Sequence, residues 1–158
     1  MAFKVRTLSL NLPFGLGGME VQVSEVQQRA AWELYVELAT RITAAPMDAE
    51  VGSIREALDS LYSVFGTTRS VLRQAGPDVA DGPHSLGPIA IRILNEGLRP
   101  FVSTWHTALL TAAADEERWH EFSWDRRSQF YEELEATRAG LSEFIDELAR
   151  MAGITDER

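Results

Sequence analysis

The stretch Ser85-Leu86-Gly87-Pro88-Ile89-Ala90-Ile91-Arg92-Ile93-Leu94-Asn95-Glu96-Gly97-Leu98-Arg99-Pro100-Phe101-Val102-Ser103-Thr104-Trp105-His106-Thr107-Ala108-Leu109-Leu110-Thr111-Ala112-Ala113-Ala114 decides the fold. Leu86, Ile89, Ile93, Leu94, Leu98, Phe101, Trp105, Leu109 and Ala112 recur mainly at spacings of three and four, the period of one helix face. No other apolar stripe in the chain is as long, so 85–114 is predicted to be a central helix. Pro88 falls in its first turn, where the missing amide has no intrahelical acceptor to lose. Pro100 lies in its interior and removes the bond to the Glu96 carbonyl, so a kink is expected there.

On either side of this helix the pattern stays helical. Ser24 opens a segment in which Ala31, Leu34, Tyr35, Leu38 and Ile42 form one face, and Gln27 completes a capping box. It is predicted to run over 24–45 and to end before Pro46. A second box, Ser53 with Glu56, starts a helix over 53–75 whose inner face is Ile54, Ala57, Leu58, Leu61, Phe65, Thr68 and Leu72. Gly76-Pro77 stops it, and 77–84 reads as a surface loop. The last helix is predicted over 124–152, capped by Ser123 or Asp125, with Phe130, Leu134, Leu141, Phe144, Ile145, Leu148 and Met151 inward and Gly153 as C-cap.

The first 23 residues differ from this pattern. Apolar residues alternate at Phe3 and Val5, then at Leu8, Leu10 and Leu12, and again at Met19, Val21 and Val23, a period of two with one slip. Two strands joined by the Pro13–Gly18 turn make a hairpin over 3–23, and the slip predicts a bulge near Arg6 or Thr7. A lone hairpin is marginal in water, so one face must lie on the helices. The expected architecture is a mainly α antiparallel four-helix bundle with an N-terminal β-hairpin packed against it, a single domain spanning 1–158.

Composition narrows the function classes. With 15 Lys and Arg against 24 Asp and Glu, the formal charge of −9 repels nucleic acid and anionic membranes. The absence of cysteine excludes disulfides, thiolate nucleophiles and cysteine-ligated zinc. No stretch reaches the roughly 18 apolar residues of a membrane span, and the N-terminal apolar run is broken by Asn11 and Pro13, so a cytoplasmic location is expected. The Gly15–Gly18 turn leads into a strand rather than a helix, which separates it from a phosphate loop. The pairs Glu116-Glu117 and Glu132-Glu133, with His120 nearby, read as surface charge, and His84 as a loop residue. Neither a metal nor a cofactor is expected.

Two surfaces stand out as candidate binding sites. Asn95, Arg99, Ser103 and His106 fall on one stripe of the central helix beside its apolar face. That stripe suits a ligand or the carboxylate of a partner protein. Trp119 and Trp124, with Phe122, sit in a connection, where large rings either plug the end of the core or meet a partner. Arg99 and His106, with six residues between them, are also similar to the active-site pattern of HEPN-type helical ribonucleases, in which the two side chains act on the scissile phosphate. The resemblance covers these two residues and the helical class, and implies RNA cleavage in a cleft shared by two protomers. Pro100 stands where that family has a polar residue, and a further long helix follows where the family's motif lies late in the chain.

The reading that best accommodates these features is a non-enzymatic interaction or regulatory protein working through helix-face contacts with a protein partner or a second copy. The ribonuclease, with Arg99 and His106 catalytic and RNA as partner, and a small-ligand binder using the Pro100 bend as its pocket are the alternatives.

Overall fold

The computed structural model describes residues 3–41, 46–115 and 119–154. Residues 42–45, assigned above to the first helix, and Glu116-Glu117 lie outside the described residues. The chain is mainly helical, with four helices among the described residues and an N-terminal two-stranded antiparallel hairpin.

Strands β1, Arg6–Leu12, and β2, Gly17–Val23, pair from Arg6 opposite Val23 to Leu12 opposite Gly17. The ladder is uninterrupted, so the expected bulge is not formed. The slip in the pattern marks where pairing begins: Phe3 and Val5 precede the strand, and Val5 is exposed. Leu8, Leu10, Leu12, Val21 and Val23 are buried while Ser9, Asn11, Glu20 and Gln22 face out, as period-two alternation demands.

The turn is closed by the Leu16 amide donating to the Pro13 carbonyl at 3.3 Å. Its central residues, Phe14 and Gly15, have φ of 61° and 75°, the positive pair of a type I′ turn. Gly15 adopts this freely; for Phe14 the left-handed conformation costs about 1–2 kcal/mol. The conformation places the Phe14 ring between two helices at two glycines. A Cβ on Gly97 would lie 2.6 Å from ring atom Cε2, and one on Gly140 would lie 2.6 Å from Cζ. Only a residue without a side chain leaves room for the ring at either position.

Helix α1 is Glu25–Ala39, α2 is Ile54–Ala75, α3 spans 86–115, and α4 is Arg127–Ala152. Helix α1 packs against α4 and α2, while α3 packs against α2 and α4. Buried residues from the hairpin and all four helices form one contiguous core. In α3, Leu86, Ile89, Ile93, Leu94, Leu98, Phe101, Trp105 and Leu109 are buried as the spacing predicts, and Ala112 is half-buried.

The hydrogen-bond ladder of the central helix changes just before Pro100. Helix α3 is α-helical over Leu86–Arg92, widens to a π-helix over Ile93–Leu98 and returns to α-helix from Arg99. The Arg99 amide donates to the Leu94 carbonyl, five residues back. Inserting one residue re-registers the ladder just before the proline, and the rod continues. Gly97, which receives Phe14, lies within this wide turn.

The capping boxes form in half. Ser24 and Ser53 accept from the amides of Gln27 and Glu56 at 3.3 Å each. The Gln27 side chain, however, is buried and bridges elements: its Nε2 donates to the Gln22 carbonyl at 3.0 Å and its Oε1 accepts from the Leu86 amide at 3.1 Å. Ser85 Oγ instead donates to the Gly82 carbonyl at 2.6 Å, so the first amide of α3 is capped from α1.

Two further boundaries move. Helix α4 begins at Arg127 rather than near Trp124, because Trp124, at φ −69° and ψ 127°, is extended after a 3₁₀ turn over Glu121–Ser123; the N-cap position is Arg126, and neither Ser123 nor Asp125 caps the helix. Residues Pro77–Ala80 of the expected surface loop form a second 3₁₀ turn that buries Val79. Gly76 and Gly153, at φ of 83° and 76°, end α2 and α4.

Replacing Gly97 by alanine improves helix propensity, yet the clash with Phe14 should lower stability by about 1–3 kcal/mol. In a Phe14→Ala background the same substitution should raise stability by up to about 1 kcal/mol. Urea denaturation of the four-variant cycle reads this change of sign, and an additive cycle would show that the ring and the glycine are not in contact.

Candidate functional site

The stripe on α3 faces a cleft against α2. Arg99 Nε donates to Asn95 Oδ1 at 3.1 Å, one turn back, and the guanidinium lies 4.8 Å from the centre of the Phe65 ring. The hydrogen bond and the ring together restrict a side chain that would otherwise sweep through solvent. Across from it are Arg69 and Tyr62 of α2, and Val102 and Ser103 complete the walls of a cleft of about 40 Å³. Tyr62 is 69% exposed, whereas Phe65 and Val102 are buried.

Among the described residues Arg69 and Arg99 make no ion pair with a carboxylate, nor do Arg6, Arg55, Arg73 and Arg126, whereas Arg29, Arg41, Arg92, Arg127, Arg138 and Arg150 each do. In a chain with nine more acidic than basic residues, two unpaired guanidiniums at one cleft make a local positive site.

Of the residues singled out by spacing, the cleft therefore joins Arg99 and Ser103, with Asn95 behind Arg99. His106 is exposed, lies outside the cleft, and stands two helical turns, roughly 10 Å, further along the axis. Tyr62, Phe65 and Arg69 were not visible as partners because nothing in the spacing of α2 says which face meets α3. The one local signal is that Phe65 belongs to the apolar stripe and Arg69 follows it by four residues, on the same side of the helix.

Trp119 and Trp124 occupy a different end of the molecule. Both are half-buried against the core: Trp124 meets Trp105 edge-on at 5.9 Å, and Trp119 meets Trp124 at 5.8 Å. Arg126 lies 4.6 Å from the centre of the Trp105 ring. Phe122 remains half exposed, and Trp119 Nε1 is buried with no hydrogen-bond partner among the described residues. Trp105 Nε1 donates to Glu133 Oε2, which engages one carboxylate of the Glu132-Glu133 pair. His120 Nδ1 accepts from the Phe122 amide at 3.3 Å, and His84 lines a shallow groove beside the hairpin. Among the described residues no three His, Asp or Glu side chains converge to hold a metal ion.

A buried polar node anchors this end. Arg127 donates to Glu121 Oε1 at 2.9 Å, to the Gly52 carbonyl at 2.9 Å and to the Ala49 carbonyl. Glu121 Oε1 also accepts from the Ile54 amide at 3.1 Å, a negative charge at the N-terminus of α2. The Arg127 guanidinium is flanked by the rings of Phe122 and Tyr131 at 4.1 and 4.9 Å. No spacing rule marks this node, since its members come from three segments.

The Tyr131 hydroxyl is buried beside the node without a hydrogen-bond partner among the described residues. Burial pushes the phenol above its ordinary 10.0, against the opposing pull of the Arg127 charge. The native state thus keeps a proton that the unfolded chain has released, so stability present below pH 10.0 is lost as pH rises beyond it. Tyr131→Phe removes an unsatisfied hydroxyl and should leave stability within about 1 kcal/mol or raise it. It should also weaken the alkaline loss seen for the wild type. Arg127→Met, which strands Glu121, should cost about 3 kcal/mol. Urea titrations from pH 7 to 11 measure all three effects. No family model, curated protein or solved structure matches this chain.

Proposed function

We propose that this chain is a non-enzymatic interaction protein, an antiparallel four-helix bundle with a flanking hairpin, that binds an acidic group of a protein partner at the α2–α3 cleft. The observation that carries the reading is the pair of guanidiniums without carboxylate partners, Arg69 and Arg99, on two facing helices. Arg99 is held in place by Asn95 and Phe65, so little further ordering is needed when an anion arrives. A carboxylate meeting one or both forks gains charge-assisted hydrogen bonds. Exposed Tyr62 beside the cations supplies the aromatic area typical of interface centres.

Of the Arg99 and His106 pair that the ribonuclease reading needs, only Arg99 lines the cleft, beside Ser103 and Tyr62. The reading therefore favours recognition over chemistry.

The test is affinity capture from cell extract with wild type and with the Arg69→Ala, Arg99→Ala double variant, followed by affinity measurement on the recovered partner. The double variant should keep the wild-type circular dichroism and lose about tenfold or more in affinity, the effect expected of side chains central to an interface. Raising the salt concentration should weaken the wild-type complex more than that of the variant. A partner bound equally by both proteins would place the interface elsewhere.

A further inference from the structure

A cavity of about 780 Å³ lies on another face, between α1 and α2. On the α1 side it is walled by Trp32 and Val36, which are 49% and 41% exposed, and the Trp32 ring is steadied by stacking on Tyr35 at 6.0 Å. A smaller hollow lined by Val26, Arg29, Ala30 and Ala75 shares Glu33 and Gln74 with it, so the two form one groove along α1, in which the charge of Arg29 is paired with Glu25 at 3.3 Å. From Val26 to Val36 is ten residues, about 15 Å of helix, which matches roughly three turns of a docked helix.

The α2 side is low because of Gly66. A mid-helix glycine is unfavourable relative to alanine, and in α3 and α4 the glycines have visible causes: the Phe14 ring at Gly97 and Gly140, and the Val79 carbonyl, 3.1 Å from a Cβ built on Gly87. Gly66 has none: a Cβ built there meets nothing within 4 Å. It faces the groove, where the absent side chain lets a second backbone come close to α2.

Charge selects the occupant. Glu33, in the middle of the groove, has no ion-pair or hydrogen-bond partner among the described residues, and Glu37 shares its charge only with Arg41 at 3.5 Å. We infer that the α1–α2 groove docks an amphipathic helix from a partner protein, with apolar side chains against Trp32 and Val36 and a lysine or arginine edge against Glu33 and Glu37. The chain's charge of −9 attracts such a segment at long range and disfavours a second copy of itself. This surface is separate from the Arg69–Arg99 cleft and takes the opposite charge.

The test selects a phage-displayed library built on a helix-forming 18-residue frame against the wild-type chain. Enriched peptides should carry apolar residues at helical spacing beside Lys or Arg. Their affinity should fall about tenfold or more with Gly66→Trp and with Glu33→Lys, and stay unchanged with Arg99→Ala. Gly66→Ala should raise the melting temperature by about 2–4 °C; a fall would mean that the glycine serves packing within the chain and would overturn the inference. Should Gly66→Trp not fold, Ser70→Trp in the same groove replaces it. No enrichment, enrichment of acidic or non-helical sequences, or indifference to the tryptophan variants would also overturn it. So would sedimentation showing a wild-type dimer that the tryptophan variant abolishes.

Discussion

The ring of Phe14 between Gly97 and Gly140 is the contact on which the arrangement depends. It sets where the hairpin lies, because the turn that carries it must hold a bulky residue at positive φ, a cost repaid only if the ring is seated. It also limits how α3 and α4 can approach, since both present bare backbone to the same ring. The π-helical turn of α3 then appears as part of one solution: the segment that receives the ring is also the segment that adjusts the hydrogen-bond ladder ahead of Pro100.

Polar side chains complete the assembly where apolar packing cannot. Gln27 satisfies a strand carbonyl and the first amide of α3 at once, so the hairpin, α1 and α3 are joined through a single buried amide group. At the other end Arg127 and Glu121 tie the segment before α2 to the start of α4. Both devices bury groups that are costly when unpaired, and both therefore tolerate little displacement of the elements they join. The aromatic cluster of Trp105, Trp119, Trp124 and Phe130 fills the space beside the second.

Two open features of opposite character lie between neighbouring helices. The α2–α3 cleft is small and cationic, and the α1–α2 groove is long, partly apolar and edged by carboxylates. Helix α2 belongs to both. A helix whose inner face is committed to the core while its two flanks face different clefts can carry two contacts without changing its own packing.

Periodicity alone determined the helices, the hairpin and the identity of most core residues. The stripe from Leu86 to Leu109 and the alternation from Leu8 to Leu12 are properties of local spacing, and hydrophobic burial leaves a helix or strand little choice about which side it turns inward. Half of each capping box was legible for the same reason. Local spacing also brought Asn95, Arg99 and Ser103 onto one stripe.

What opposes that stripe was decided by tertiary structure. Arg69, Tyr62 and Phe65 join the cleft only because α2 packs beside α3. Trp119 and Trp124 meet Trp105 only because the connection folds back. Gln27 leaves its expected cap for the Leu86 amide. Each of these depends on residues far apart in the chain, and a spacing rule that extends over one or two helical turns carries no information about which faces will meet.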